Sequence, residues 1–267
     1  MRVSELNIYP IKSLKGIRVD DAKVEAEGFR LDRRWMLVDE NNKFLTQREF
    51  PVMARIEVSQ RRDSLEVSFN GSSVKVPFAV SGDGRPKRVK IWQSSVRAEF
   101  YSEEIDGWFS ETLGSRCRLA AMTRVSSRLV NPFYAVRRFK DTVSFADGYP
   151  FLLIGRASLD DLNSRLENPV PMNRFRPNIV VEGSDAFAED GWKKVRIGPT
   201  VFHVVKPCGR CVITTIDQTE GDKTGVEPLR TLASYRTQKG KANFGQNLIA
   251  ENTGERVRVG DALEVIR

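Results

Sequence analysis

Residues 65–78 constrain the fold more tightly than any other stretch of this chain. Leu65-Glu66-Val67-Ser68-Phe69 and Val74-Lys75-Val76-Pro77-Phe78 alternate apolar and polar residues on either side of Asn70-Gly71. Alternation with period two puts one face of each run on a core, and Asn-Gly is a preferred dipeptide of tight hairpins. Pro77 has no amide hydrogen, so its run belongs at the edge or end of a sheet. The pattern recurs close by. Residues 3–9 and 17–26 alternate, and 34–39 face 43–46 across Glu40-Asn41-Asn42. Gly82-Asp83-Gly84-Arg85-Pro86 reads as a loop. Many short strands at such spacing point to a barrel or sandwich.

A helix is expected to close this half. Ser102 can cap it, Glu103 and Glu104 suit its first turn, and Gly114 falls just past its end. Ile105, Trp108, Phe109 and Leu113 share one face and read as core. A boundary near residues 115–123 divides the chain into domains of 1–118 and 119–267. Residues 124–150 are loop-like and basic (Arg124, Arg128, Arg137, Arg138, Lys140), a pattern that reads as a solvated face. Ser158 and Asp161 form a capping-box pattern ahead of Leu159, Leu162 and Leu166. Strands are expected over 179–182, 195–197, 201–205, 244–250 and 257–266, and a short helix over 229–235. The fold class is therefore mainly β with a few helices, α+β.

The chemistry concentrates in Lys206-Pro207-Cys208-Gly209-Arg210-Cys211, which runs into the β-branched segment 212–216, itself read as a strand. A thiol at the foot of a buried strand beside a fixed cation is a candidate thiolate, the soft ligand that suits transition metals. Three rival readings stand beside this one. The pair can be half of a zinc site, a thioredoxin-type redox couple, or two small apolar residues in a turn. The one histidine, His203, lies mid-strand with no partner carboxylate at readable spacing and reads as structural.

Composition narrows the classes. With 267 residues, 40% hydrophobic and 29% charged, the chain fits one large or two modest globular domains. Three cysteines do not make a disulfide framework, so a reducing cytoplasm is the expected compartment. No apolar leader is visible, and the longest apolar runs are too short to span a bilayer, so no membrane partner is expected. Neither a phosphate loop nor a dinucleotide fingerprint occurs, and a lone histidine argues against a Ser/His/Asp triad. A formal charge of +8 favours an anionic partner. Nucleic acid is not expected, because aromatic and basic residues do not interleave as they do on stacking surfaces.

Pro207-Cys208-Gly209-Arg210-Cys211 with 212–217, then 227–236 and 244–254, resembles the C-terminal half of a MOSC-domain protein. Residues 9–16 and 31–35 resemble the N-terminal β-barrel domain of one branch of that family, which includes the mitochondrial amidoxime-reducing component and its bacterial relatives. The resemblance covers nearly the whole chain. It implies a β-barrel N-domain packed on a MOSC β-barrel, with a molybdenum-pyranopterin cofactor (the molybdopterin form) between them. By motif position it implies Cys211 as the metal ligand. It implies Lys12, Ser13, Arg33 and Arg176 as pterin and phosphate contacts. Asp147, Gly148 and Tyr149 would line the metal, with Asp147 able to relay a proton, and Gly209 and Arg210 would flank the ligand. The implied reaction is two-electron reduction of small N-hydroxylated compounds: hydroxylamines, amidoximes and N-hydroxylated bases. The alternative is a cofactor or sulfur carrier without turnover. Tyr9 lies too near the start to leave room for an anchor, and three cysteines cannot hold a four-thiolate iron–sulfur cluster. A separate ferredoxin- or flavodoxin-like electron-transfer protein is therefore expected.

Overall fold

The computed structural model describes residues 1–80 and 85–266; most of the loop expected at 82–86 lies outside them. The hairpin forms. Ser64–Phe69 and Ser72–Pro77 pair antiparallel, with Val67 opposite Val74. Asn70 and Gly71 both adopt left-handed backbone, φ 47° and 82°, as a two-residue turn matched to strand twist requires. Pro77 ends the edge strand of a three-stranded sheet begun by Glu57–Gln60.

Leu65, Val67, Val74 and Val76 point into a core with Ile11, Trp35, Leu37 and the Ile105, Phe109 and Leu113 face of the helix Glu103–Leu113. Gly114 closes that helix at φ 61°, while the Ser102 side chain makes no cap hydrogen bond. A second sheet orders Trp35–Val38, Arg118–Ala121, Ser94–Phe100 and Lys87–Ile91. Residues 43–46 are held to it only by isolated bridges, among them Val38 to Phe44. Together these elements form a β-barrel-like unit.

The largest sheet runs Leu263–Ile266, Lys194–Ile197, Thr200–Gly209, Lys241–Ala250, Phe151–Gly155, Ile179–Glu182, Arg2–Ile8 and Ile17–Val19. Two of its strands thus come from the start of the chain. Leu6 lies opposite Ile179, which fixes the following turn, residues 10–16, against the C-terminal half. The expected division at 118/119 falls inside the strand Arg118–Ala121, whose Leu119 and Ala121 belong to the first core, and the first strand of the chain pairs with Ile179–Glu182 beyond it.

Three sequence expectations are corrected. Residues 212–216 are not a strand: the strand precedes the cysteines, and Val212–Thr215 is a 3₁₀ turn. Thr214 and Thr215 are buried, and their hydroxyls donate to the carbonyls of Cys211 (2.9 Å) and Val212 (2.8 Å). This local bonding competes with ladder pairing and overrides β-propensity. The second helix begins earlier, at Arg156, so Ser158 lies inside its first turn and donates to buried Glu189 rather than capping. Arg128 is not on a solvated face. It is 6% exposed and donates to the carbonyls of Ser144, Ala146 and Asp147.

Candidate functional site

A slot of about 130 Å³ opens between segments from both halves of the chain. Every residue singled out from the motifs lines it: Lys12, Ser13, Arg33, Asp147, Gly148, Tyr149, Arg176, Gly209, Arg210 and Cys211. Three of them hold left-handed backbone without being glycine: Ser13 at φ 69°, Arg33 at 48° and Arg176 at 55°. Such conformations cost roughly 1–2 kcal/mol each and persist where surrounding structure over-determines them.

Buried hydrogen bonds supply that over-determination. Asp32, fully buried, accepts from the Tyr9 amide (2.8 Å) and from Arg33 Nη1 (2.7 Å). Arg33 also donates to Asn178 Oδ1 (3.0 Å) and the Arg176 carbonyl (3.2 Å). The Arg33 and Arg176 guanidiniums each lie against the Tyr9 ring, 4.2 and 4.3 Å from its centre. Burial drives Arg176 down to about 10 and Tyr9 up to about 12. Gly16 makes room for that ring: a Cβ there would come within 2.4 Å of Tyr9 Cε1. Arg176 Nη2 donates to the Leu14 carbonyl (2.7 Å), tying together two motifs 162 residues apart.

Lys12 is 6% exposed and donates to the Phe145 carbonyl (2.9 Å) and Asp147 Oδ1 (2.6 Å). Burial pushes its ammonium down, with Asp147 opposing. Burial also acts to raise the Asp147 carboxyl, but Lys12, Arg48 and Arg33 outweigh that and hold it below the usual carboxylate range. Its side chain is 64% exposed. Asp147 is a fixed anion here. Tyr149 is pushed up chiefly by burial.

The two thiols, both free, have different partners. Arg210, expected beside the ligand cysteine, reaches Cys208 Sγ (3.0 Å) and the Phe175 carbonyl (2.7 Å). Cys211 Sγ instead accepts from Arg48 Nη2 (3.1 Å), and that guanidinium stacks on Trp92 at 4.9 Å. Sequence reasoning missed Arg48. Its one local signal is a place in the turn Thr46-Gln47-Arg48-Glu49, where the Glu49 carboxylate accepts from the Thr46 amide and hydroxyl. Gln47 and Gln218 exchange amide bonds of 3.2 and 3.1 Å, stitching that turn to the loop after Cys211. His203 does have a partner, Glu251, at 2.8 Å just past the end of the neighbouring strand, and neither lines the slot. Cys117 is a core residue whose thiol burial pushes up to about 11.

The slot's charges are Lys12, Arg33, Arg48, Arg176 and Arg210 against Asp147 alone, so it is built for an anion. Among the described residues no three His, Cys, Asp or Glu side chains gather to hold a metal. A metal joined to Cys211 would have to bring its remaining ligands with it. Arg210 Nε is buried without a partner. A Cβ at Gly148 would meet nothing within 4 Å, so bare backbone faces open space there. An anionic group that carries its own metal and further metal ligands fits this donor set.

The slot thus carries a thiol and five cations between a β-barrel-like unit and a second β-rich unit. Residues 1–116 match the MOSC N-terminal beta barrel domain and residues 140–264 match the MOSC domain; the chain belongs to this family. It is 35% identical to mitochondrial amidoxime-reducing component 1 of Mus musculus, over 99% of this chain and 82% of that one. It is 32% identical to the Homo sapiens protein of the same name, with the same coverage. A molybdenum cofactor sulfurase of Oryza sativa subsp. japonica is also 32% identical, over 92% of this chain but 32% of its own length. No helix among the described residues is long and apolar enough to cross a membrane.

Proposed function

We propose that this chain is a molybdenum-cofactor oxidoreductase that reduces N-hydroxylated compounds with electrons from a separate carrier protein. The observation that carries the reading is Cys211: its sulfur lines a slot with five cations and one carboxylate. The relatives named for amidoxime reduction support the substrate class, and the absence, among the described residues, of three grouped His, Cys, Asp or Glu side chains supports a metal that arrives already ligated.

When bound, the molybdenum dithiolene group supplies two-electron removal of oxygen from nitrogen. The protein's part is to hold and orient. Cys211 would bind the metal, with Arg48 fixing the sulfur. Arg176, Arg33 and Lys12 each spend some donors on the fold and keep others for the slot. With Arg210 Nε they would hold the pterin and phosphate, while Ser13, Gly148, Tyr149 and Gly209 shape the wall. Asp147, neutralised by Lys12, would limit the excess of positive charge at the mouth.

A second reading, cofactor or sulfur carriage without turnover, is supported by the sulfurase relatives and by free Cys208 beside Arg210. One experiment separates the two. Protein expressed in a cofactor-synthesising host is analysed for molybdenum and pterin, then assayed with reduced viologen on amidoximes and hydroxylamines. Reduction supports the enzyme; full loading with no reduction across the panel supports the carrier.

A further inference from the structure

A groove of about 1100 Å³ adjoins the slot and shares Arg48, Asp147, Tyr149, Cys208 and Gly209 with it. Its walls carry exposed aromatic side chains. Phe133 is 89% exposed, Phe139 61% and Trp92 47%, and all three line the groove. Large aromatics left in water around a cavity mark a binding site for a flat apolar body.

Lys43, Lys206 and Lys241 line the same groove. Among the described residues, none of the three forms an ion pair. Lys206 Nζ instead lies over the Tyr134 ring at 4.2 Å. Arg48 and Arg128 line it too, against two carboxylates, Asp147 paired with Lys12 and Glu49 hydrogen-bonded to Thr46. The groove therefore joins aromatic walls to uncompensated positive charge, which repels cations and tolerates neutral or anionic ligands.

That charge has a consequence for reduction of an N–OH group. In an amidoxime, the electron-withdrawing oxygen keeps the molecule uncharged near neutral pH. Reduction breaks the N–O bond, takes two electrons from the carrier and two protons from solvent, and releases water and an amidine. The amidine is a strong base and takes a third proton to become an amidinium cation. We infer that this groove is the substrate-body site, and that its unpaired lysines let it hold flat aromatic N-hydroxylated compounds while expelling the cationic product. The inference rests on the reductase reading above, which it deepens by naming the substrate class and the force behind product release.

The test compares 2-naphthamidoxime with 2-naphthamidine, the same ring system before and after reduction. Binding is measured by calorimetry at neutral pH and low salt, on the purified chain and on a Lys43→Gln/Lys206→Gln/Lys241→Gln variant. The amidoxime is expected to bind about tenfold more tightly, a preference that shrinks as salt rises and nearly vanishes in the triple variant. Equal binding of the pair, or a preference unchanged by the three substitutions, overturns the inference. Thermal melts check that the variant is folded, and Trp92→Phe should weaken both ligands without changing their ratio. The preference without turnover in loaded protein supports the groove and removes the reductase. Turnover without the preference overturns the groove alone.

Discussion

Arg48 Nη2 donates to Cys211 Sγ at 3.1 Å, joining residues 163 positions apart across the two halves of the chain. This contact makes Arg48 a positioning residue for the sulfur, while the neighbouring Arg210 serves Cys208. The two thiols of one motif are thus held by cations from different parts of the sequence.

Cys211→Ala is expected to abolish molybdenum retention and Cys208→Ala to leave most of it, read as metal per protein after expression in a cofactor-synthesising host. Arg48→Leu should lower retention about tenfold or more, since hydrogen bonds to charged groups contribute roughly 1.5–3 kcal/mol. Loss with Cys208→Ala and retention with Cys211→Ala would reverse the assignment.

Arg210→Gln and Arg176→Gln should each weaken pterin retention about ten- to hundredfold on gel filtration, by the same reasoning. Arg176→Gln should act more broadly, because it also frees the Leu14 carbonyl and one side of the Tyr9 ring. Unchanged pterin content in the double variant would remove the anion-clamp idea.

Asp32→Ala leaves Arg33, itself 12% exposed, without its buried partner. Removing one member of such a pair costs about 3–5 kcal/mol. Chemical denaturation of the purified protein checks the figure, and a loss below about 1 kcal/mol would mean that water or a neighbour compensates.

The Lys12–Asp147 pair sets a pH dependence. The Asp147 carboxyl lies below its ordinary value in the folded protein, so its contribution is complete above the unfolded value of about 3.9. It is lost as pH falls through the folded value. The stability gap between wild type and Asp147→Asn should hold steady from about pH 5 to 8 and close in stronger acid. At 64% exposure of the side chain that gap will be small. A gap that opens in acid instead contradicts the pairing.

Loaded protein should turn over with reduced viologen and not with NADPH alone, because no nicotinamide or flavin fingerprint occurs in these residues. With an acidic carrier and its reductase, the rate should fall as salt rises, given a charge of +8. Turnover on NADPH by itself sinks this expectation.

Much of the site was legible because motif residues bring their chemistry with them. Their positions came from the resemblance of the motifs that hold them, and all ten motif residues do line one slot. Arg48 and Arg128 were not legible. Each acts through a contact made only after folding, one to a sulfur 163 residues away and the other to three carbonyls of a bend. The turn after Cys211 was misread because β-branched residues predict a strand until buried threonine hydroxyls bind the chain's own carbonyls.

By itself, the sequence determined which residues alternate, where Asn70-Gly71 turns the chain, and which side chains can hold an anion or a metal. Those are properties of single residues and their neighbours, set by the two-residue period of a strand and by side-chain chemistry. Tertiary structure alone decided the pairing. It chose Arg48 for Cys211, set Arg33 and Arg176 against Tyr9, and forced Ser13, Arg33 and Arg176 into left-handed backbone. Such conformations are uphill for an isolated chain, and they hold here because buried partners fix them: Arg33 donates to its neighbour Asp32 and to distant Asn178, and Arg176 to the distant Leu14 carbonyl.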